Sequence, residues 1–259
     1  MAKRLIACFD TINGRITKGY KFEDNIDIAL PEEMAEKMCK LQIDEIIIFD
    51  VTASNEKRKT DFEMVRRVAK CITIPFIVGG GLKTLDDLQE AINAGANKIS
   101  VDSMAVRNPE IIREGAKAFG SEKIVLSTQV KKDENFASGY QVYIDGARTA
   151  TRLDAIEWIK RAEELGAGEI CVNSIENDGA ASGYDLELMK KAGAAVKIPL
   201  IASGGAGKPE HIYDVFTQTN ADAAIISSML YSPRLEKNYT PQELKTFLAE
   251  KGVAINPYI

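Results

Sequence analysis

The sequence has 259 residues, of which 45% are hydrophobic and 27% are charged, and its formal net charge is −5. This composition is typical of a globular domain, and the acidic balance argues against a nucleic-acid surface or an anionic-membrane binder. No apolar run approaches the roughly 18 residues of a membrane-spanning helix. We therefore expect one domain, residues 1–259, that binds neither nucleic acid nor membrane.

Cysteine and histidine usage narrows the chemistry further. The four cysteines stand far apart, and no pair has the CxxC spacing of a zinc site or a redox pair. Scattered reduced thiols are typical of a cytoplasmic protein, which is the localisation we expect. The one histidine, His211, excludes a histidine triad and a multi-histidine metal site. We expect neither a metal nor a cofactor.

Short β-branched runs alternate with amphipathic helical segments, and the runs are apolar enough to be parallel strands buried on both faces. Helix-start signals follow several runs, including Pro31 and the capping box Thr240–Glu243. Eight β/α units in this length predict a single closed (β/α)8 barrel, since an open doubly wound sheet usually carries a glycine fingerprint after its first strand. The predicted strands are Arg4–Asp10, Glu45–Asp50, Phe76–Val78, Lys98–Asp102, Ile124–Gln129, Glu169–Asn173, Leu200–Ser203 and Ala223–Ser227.

One unit carries an insertion. The segment Lys131–Arg148 follows the fifth predicted strand and has Gly139 and Gly146 around the β-rich run Tyr140–Ile144. This pattern predicts a small hairpin within the fifth βα loop.

The two halves of the chain match each other. Ile74-Pro75 and Ile198-Pro199 are 124 positions apart (198 − 74), and Gly80-Gly81 and Gly204-Gly205 have the same offset. A period of half the chain predicts two similar four-unit half-barrels. It also predicts a site with approximate twofold symmetry at the carboxyl ends of the strands.

Glycine pairs after the third and seventh predicted strands are typical of phosphate-binding loops, because backbone N–H groups can approach an anion where no side chain intervenes. A strand-end serine accompanies each pair and would complete a cradle with helix-start N–H groups. Two such cradles predict a small-molecule substrate with a phosphate at both ends. A carboxylate repels phosphate, so we expect Asp102 to face a sugar hydroxyl or to weaken its cradle. The first cradle comprises Gly80, Gly81, Asp102 and Ser103, and the second comprises Gly204, Gly205, Ser227 and Ser228.

Several motifs along essentially the whole chain are specific enough to compare with known families. They are Lys3–Asp10, Asn13–Arg15, Lys18-Gly19, Asp50–Thr60, Gly166–Ile170, Asp178-Gly179, Gly183–Asp185 and Ile201–Gly207. Together they resemble the cyclase subunit family of imidazole glycerol phosphate synthase. The related isomerase family shares the half-barrel pattern but lacks the run from Thr52 to Thr60.

The resemblance implies a partner and a reaction. Members of this family pair as a heterodimer with a glutaminase subunit, whose ammonia passes through the barrel core to the opposite face. There the ammonia attacks a bis-phosphorylated ribulosyl aminoimidazole carboxamide nucleotide. The products are imidazole glycerol phosphate and an aminoimidazole carboxamide ribotide, in histidine biosynthesis.

The resemblance also implies site residues. Asp10 matches the first of two catalytic aspartates, and Lys18 matches a lysine that closes over the substrate from the first βα loop. The second aspartate is expected at the end of the fifth strand, where this chain has Gln129, and an amide does not exchange a proton near neutral pH. Asp10 would then act alone with water or with Asp133. Asp102 stands where the family usually has an amide, so a carboxylate has been gained at one strand end and lost at another.

The remaining implied residues form two groups. The first is a ring of two acids and two bases at the bottom of the barrel, which gates ammonia entry and marks the glutaminase docking face: Arg4, Glu45, Lys98 and Glu169. The second binds or orients substrate on the other face: Asp50, Asn173, Ser174, Asp178 and Gly179.

Gln129 leaves two alternatives to the cyclase open. One is a diverged paralogue that couples a glutaminase to amidination of another acceptor, such as a surface-glycan sugar. The other is a non-catalytic barrel that binds a phosphorylated ligand or only activates the glutaminase.

Overall fold

The computed structural model describes residues 2–20, 23–53, 56, 58–233 and 235–256, and for residues 18–20 and 23–25 it describes the backbone alone. The strands are β1 (Arg4–Ile12), β2 (Arg15–Tyr20), β3 (Glu23–Ala29), β4 (Glu45–Asp50), β5 (Phe76–Gly79), β6 (Lys98–Val101), β7 (Ile124–Lys132), β8 (Tyr140–Ile144), β9 (Thr149–Asp154), β10 (Glu169–Ser174), β11 (Leu200–Ser203) and β12 (Ala223–Ile225). The helices are α1 (Pro31–Lys40), α2 (Phe62–Ala69), α3 (Leu85–Asn93), α4 (Ser103–Arg107), α5 (Glu110–Phe119), α6 (Ala155–Leu165), α7 (Leu186–Ala195), α8 (Pro209–Gln218), α9 (Ser228–Tyr231) and α10 (Pro241–Glu250).

Eight parallel strands close into a barrel. Their order is β1, β4, β5, β6, β7, β10, β11 and β12, and β12 pairs with β1 while β7 pairs with β10. These pairings leave no open edge in the parallel sheet, so the (β/α)8 prediction is confirmed and the open sheet is excluded. Within the described residues, no helix is both long enough and apolar enough to cross a membrane.

Two hairpins extend the barrel at the carboxyl ends of its strands. The hairpin predicted within Lys131–Arg148 is present, and it is larger than expected, because β8 pairs with the extended end of β7 and a further strand, β9, pairs with β8. The second hairpin, β2–β3, follows β1 and was not predicted. Lys18 therefore lies within β2 rather than in an irregular loop, and its side chain lies outside the described residues.

Two strands end earlier than the sequence indicates. Asp102 and Ser227 were expected to end their strands, but β6 stops at Val101 and β12 at Ile225. Both residues instead occupy the position before a short helix, α4 and α9 respectively. The chain turns at these points, so Asp102 and Ser227 lie between a strand and a helix at the carboxyl end of the barrel.

The two halves of the barrel use the same backbone contacts. A methyl group on Gly80 would lie 2.4 Å from the carbonyl oxygen of Asp50, and one on Gly204 would lie 2.7 Å from that of Ser174. Both glycines have positive φ, +83° and +89°, which side-chain-bearing residues rarely adopt. Each glycine thus packs against the end of the preceding barrel strand, as expected of two similar half-barrels.

Candidate active site

A cleft opens at the carboxyl ends of the barrel strands. Catalytic residues of this fold usually lie at that face. The glycine pairs after β5 and β11 are both at this face, because all eight barrel strands are parallel. Of the residues singled out from the sequence, the cleft is lined by Asp10, Gln129, Asn173, Asp178, Gly179, Gly204, Gly205, Ser227 and Ser228.

Asp10 lies on β1, just before the turn into the first hairpin. Its side chain is half-buried and lines the cleft, and the Cys8 thiol is 3.8 Å from its Oδ1 atom. The backbone of Asp10 is fixed by pairing with Thr17 of β2. A carboxylate held this way at the rim of the cleft is suited to proton transfer.

Gln129 is held in one orientation by the neighbouring strand. Asn173 is its register partner on β10, and the Asn173 Nδ2 atom donates to Gln129 Oε1 at 2.8 Å. The same nitrogen donates to Asp178 at 3.2 Å, and Asn173 Oδ1 accepts from Ser203 at 2.8 Å. Because the Gln129 oxygen faces Asn173, the Gln129 NH2 group points away from Asn173.

Asp102 lies on that other side of Gln129. Burial raises the pKa of the Asp102 carboxyl to about 7, and the nearby Asp145 carboxylate adds to the rise, while a hydrogen-bonding interaction with Gln129 and the charge of Arg107 oppose it. Asp102 precedes α4, but its side chain accepts no hydrogen bond from that helix. The carboxyl is therefore not explained as a helix cap.

The second glycine cradle is part of the cleft. Gly204, Gly205, Ser227 and Ser228 all line it. The Ser227 hydroxyl is 3.1 Å from the Cys8 carbonyl oxygen and 2.7 Å from the Tyr231 hydroxyl. The backbone around Gly204 is therefore accessible to a ligand, while the Ser227 side chain is anchored to the barrel.

The first glycine cradle does not line this cleft and contacts the segment that follows β4. A methyl group on Gly81 would lie 2.5 Å from Ala53, and the Thr60 hydroxyl is hydrogen-bonded to the Gly80 carbonyl oxygen. Ser103 is also engaged, because its hydroxyl accepts a hydrogen bond from the Asp145 backbone N–H at 2.9 Å. The two cradles thus share their backbone contacts but differ in that the second lines this cleft and the first does not.

Two predicted substrate residues make contacts within the protein. Asp50 is buried and accepts from both terminal nitrogens of Arg58, at 2.6 and 2.7 Å, which holds Arg58 at the end of β4. Ser174 is also buried, and its hydroxyl is 2.9 Å from Asn177. Asp133, the alternative acid, lines a different pocket beside Tyr140 and is hydrogen-bonded to Asn135.

At the amino ends of the strands, four charged side chains form a closed ring. Lys98 lies 2.9 Å from Glu45 and 2.7 Å from Glu169, and Arg4 is paired with the same two acids. Both glutamates are almost fully buried, whereas about a fifth of each basic side chain is exposed. Every charge has two opposite partners, which offsets the cost of burying it.

An apolar layer fills the barrel between this ring and the cleft. Its members are Ile6, Cys8, Ile47, Ile77, Val125, Cys171, Ile201, Ala223 and Ile225, with Phe49 packed against them. Cys8, Phe49, Cys171 and Ile225 also line the cleft, although none was expected there. Alternation along each strand would have indicated them, since Cys8 and Asp10 share one face of β1.

Comparison with known proteins gives one family. The model of the family described as "Histidine biosynthesis protein" matches residues 4–236. Similar curated proteins include the imidazole glycerol phosphate synthase subunit HisF of Desulfosudis oleivorans, 47% identical over 98% of both chains. The HisF subunit of Oleidesulfovibrio alaskensis is 48% identical over 97% of both chains, and that of Prochlorococcus marinus is 43% identical over 100% of this chain and 99% of its own.

Proposed function

The chain belongs to the HisF family of histidine biosynthesis, the cyclase subunits of imidazole glycerol phosphate synthase, and we propose that it joins ammonia to its substrate in the cleft lined by Asp10 and Gln129. The observation that carries this proposal is the position of Asp10. Its carboxylate lines the cleft at the carboxyl end of β1, on the opposite side of the barrel from the charged ring on Arg4, Glu45, Lys98 and Glu169.

Substrate binding is proposed at the second cradle first. Backbone N–H groups around Gly204 and Gly205 would receive one phosphate, at the same face as Asp10. The other phosphate would bind at the backbone N–H groups of Gly80 and Gly81, where the Thr60 hydroxyl donates to the Gly80 carbonyl oxygen and leaves the N–H groups to the ligand. Asn173 and Asp178 would face the middle of the substrate, and Lys18 would approach from the first hairpin.

The proposed partner is a glutaminase that docks on the face of the charged ring. A ring of paired charges forms a barrier that only a small neutral molecule crosses cheaply, since each charge already has two opposite partners. The apolar layer beyond it, with the small side chains of Cys8, Cys171 and Ala223, would let ammonia continue to Asp10.

Rescue of a histidine auxotroph that lacks its own cyclase subunit, with the partner glutaminase co-expressed, tests this function. Growth without histidine, together with ammonia-dependent consumption of the bis-phosphorylated substrate by the purified chain, is the expected result. Gln129 favours one second candidate, a paralogue that passes ammonia to another acceptor. That candidate is supported if the complex hydrolyses glutamine but neither binds nor converts the histidine-pathway substrate.

A further inference from the structure

We propose that Asp102 is the second proton-transferring carboxyl group of the cleft and performs the proton transfer that Gln129 cannot. This inference rests on the proposed function, because it concerns proton transfer during ammonia addition. Its first support is position. Asp102 follows β6 at the same face as Asp10, and its side chain is partly exposed although it is closely surrounded by protein.

The contacts of Gln129 show which of its polar groups interacts with the Asp102 carboxyl. Because Gln129 Oε1 accepts from Asn173 at 2.8 Å, its NH2 group is the part that interacts with the Asp102 carboxyl. An NH2 group stabilises the carboxylate that remains after Asp102 gives up a proton. An aspartate at position 129 would instead place two carboxyl groups side by side. The amide at 129 and the acid at 102 therefore form one complementary pair.

Other groups from neighbouring elements face Asp102. Asp145, in the turn between β8 and β9, is the nearby acid, and it is held by Arg107 of α4 at 2.6 and 2.8 Å. Burial raises the pKa of the Cys171 thiol, on β10, to about 12, and the nearby Asp102 charge contributes to the rise. The thiol therefore stays neutral. Cys171 and Gln129 both line the cleft, so Asp102 interacts with two residues of the cleft wall, although it is not itself among the lining residues.

The balance of these groups suits an acid that works at neutral pH. Burial and Asp145 raise the pKa of Asp102 to about 7, so both protonation states are populated there. A group with a pKa near the working pH is the most effective proton donor and acceptor. The Arg107 guanidinium carries one positive charge, so it offsets the combined negative charge of Asp102 and Asp145 only in part.

The proton-transfer step is the addition of ammonia to the ketone carbon of the ribulosyl group. The nitrogen lone pair forms the C–N bond, and the π electron pair of the carbonyl moves to its oxygen. Asp10 accepts one proton from the nitrogen, and protonated Asp102 donates one proton to the oxygen. The product is a neutral carbinolamine, and the two carboxyl groups have changed their protonation states.

The test is the pH profile of kcat/KM for the bis-phosphorylated substrate, measured with the concentration of free NH3 held constant as the nitrogen source. Because Asp102 acts in its protonated form, wild-type kcat/KM is expected to fall above about pH 7. Asp102→Asn should lower kcat by about tenfold or more and remove this alkaline limb. Asp102→Glu, which keeps the acid, should retain the limb. Asp102→Asn/Gln129→Asp, which moves the acid to position 129, should turn over faster than Asp102→Asn.

A second variant changes the pKa of Asp102 without replacing Asp102 itself. Asp145→Asn removes the like charge and leaves Arg107, so the pKa of Asp102 falls and the alkaline limb moves to lower pH. Asparagine tolerates the positive φ of +58° at this position. The matched control is Asp86→Asn, an exposed carboxyl on α3, which should leave the profile unchanged.

The possible failures are distinguishable. If wild-type enzyme turns over and Asp102→Asn keeps both its rate and its alkaline limb, the role of Asp102 is wrong and the proposed function stands. If wild-type enzyme and the double variant bind the substrate but never convert it, both the proposed function and the role of Asp102 are overturned. An alkaline limb that does not move in Asp145→Asn also contradicts the assignment.

Discussion

The side-chain amide of Asn173 donates to the side-chain oxygen of Gln129 at 2.8 Å, across the register pair that joins β10 to β7. This bond makes an amide at 129 part of an ordered set of polar groups rather than a vacant catalytic position. Asn173 also contacts Asp178 and Ser203, so three strand ends and one loop depend on a single side chain.

Asn173→Ala should therefore destabilise the fold and reduce turnover together. It leaves the oxygen of half-buried Gln129 and the Ser203 hydroxyl without these partners, which typically costs about 1–3 kcal/mol. The free energy of unfolding in urea and kcat with ammonia would be measured. The control is Asn220→Ala, which removes an exposed asparagine with one backbone contact and should cost no more than about 0.5 kcal/mol.

Asp10→Asn tests the first proton-transfer group. The change keeps the size and most of the polarity of the side chain but removes its ability to accept a proton. Turnover should fall by about 10² to 10⁴-fold, while the affinity for substrate changes little. Calorimetric titration with the substrate separates the two effects. Unchanged turnover by this variant would remove Asp10 from the mechanism.

The sequence predicts the barrel well because its strands are continuous apolar runs whose burial on both faces leaves a clear pattern. The antiparallel extension of β1 by β2 and β3 was missed, although the turn from β1 to β2 has a sequence signal. Asn13 and Gly14 have φ values of +50° and +72°, as expected of an Asn-Gly turn between antiparallel strands. The polar residues that follow show no apolar alternation, so β2 and β3 carry no strand pattern of their own.

The candidate site was predicted less completely than the fold. Residue identity located Asp10, Asp178 and the glycines after β11 near one cleft. It did not indicate that Thr60 and Ala53 contact the other glycine pair, because that contact joins a loop to a strand end about 20–30 residues away in sequence. Contacts of this kind depend on tertiary packing rather than on a local pattern.

The charged ring provides a test of gating and stability. Lys98→Met leaves Glu45 and Glu169 buried with Arg4 as their remaining partner in the ring, and breaking such a buried pair typically costs about 3 kcal/mol. We expect lower thermal stability, and a larger loss of glutamine-dependent than of ammonia-dependent turnover in the complex. The control is Lys40→Met, which breaks an exposed pair with Glu36 at 2.6 Å and should change neither. Equal losses with both nitrogen sources would contradict a gate.

Gly204→Ala tests whether close backbone approach, rather than backbone freedom alone, forms the second cradle. Gly204 has φ +89°, and an added methyl group would lie 2.7 Å from the Ser174 carbonyl oxygen and 3.1 Å from Asn173. Gly252 has a similar φ, +80°, but nothing lies within 4 Å of an added methyl group there. Gly252→Ala should therefore cost only about 1–2 kcal/mol for the left-handed backbone.

Gly204→Ala should cost more than Gly252→Ala, because the backbone at the end of β11 must also move away from β10. That movement displaces the N–H groups proposed to bind phosphate, so affinity for inorganic phosphate should fall in Gly204→Ala and stay unchanged in Gly252→Ala. Gly80→Ala extends the comparison, since its methyl group would lie 2.4 Å from the Asp50 carbonyl oxygen. A cost like that of Gly204→Ala is expected if the half-barrels are mechanically equivalent. Equal unfolding free energies for Gly204→Ala and Gly252→Ala would show that the contact with Ser174 does not constrain this loop.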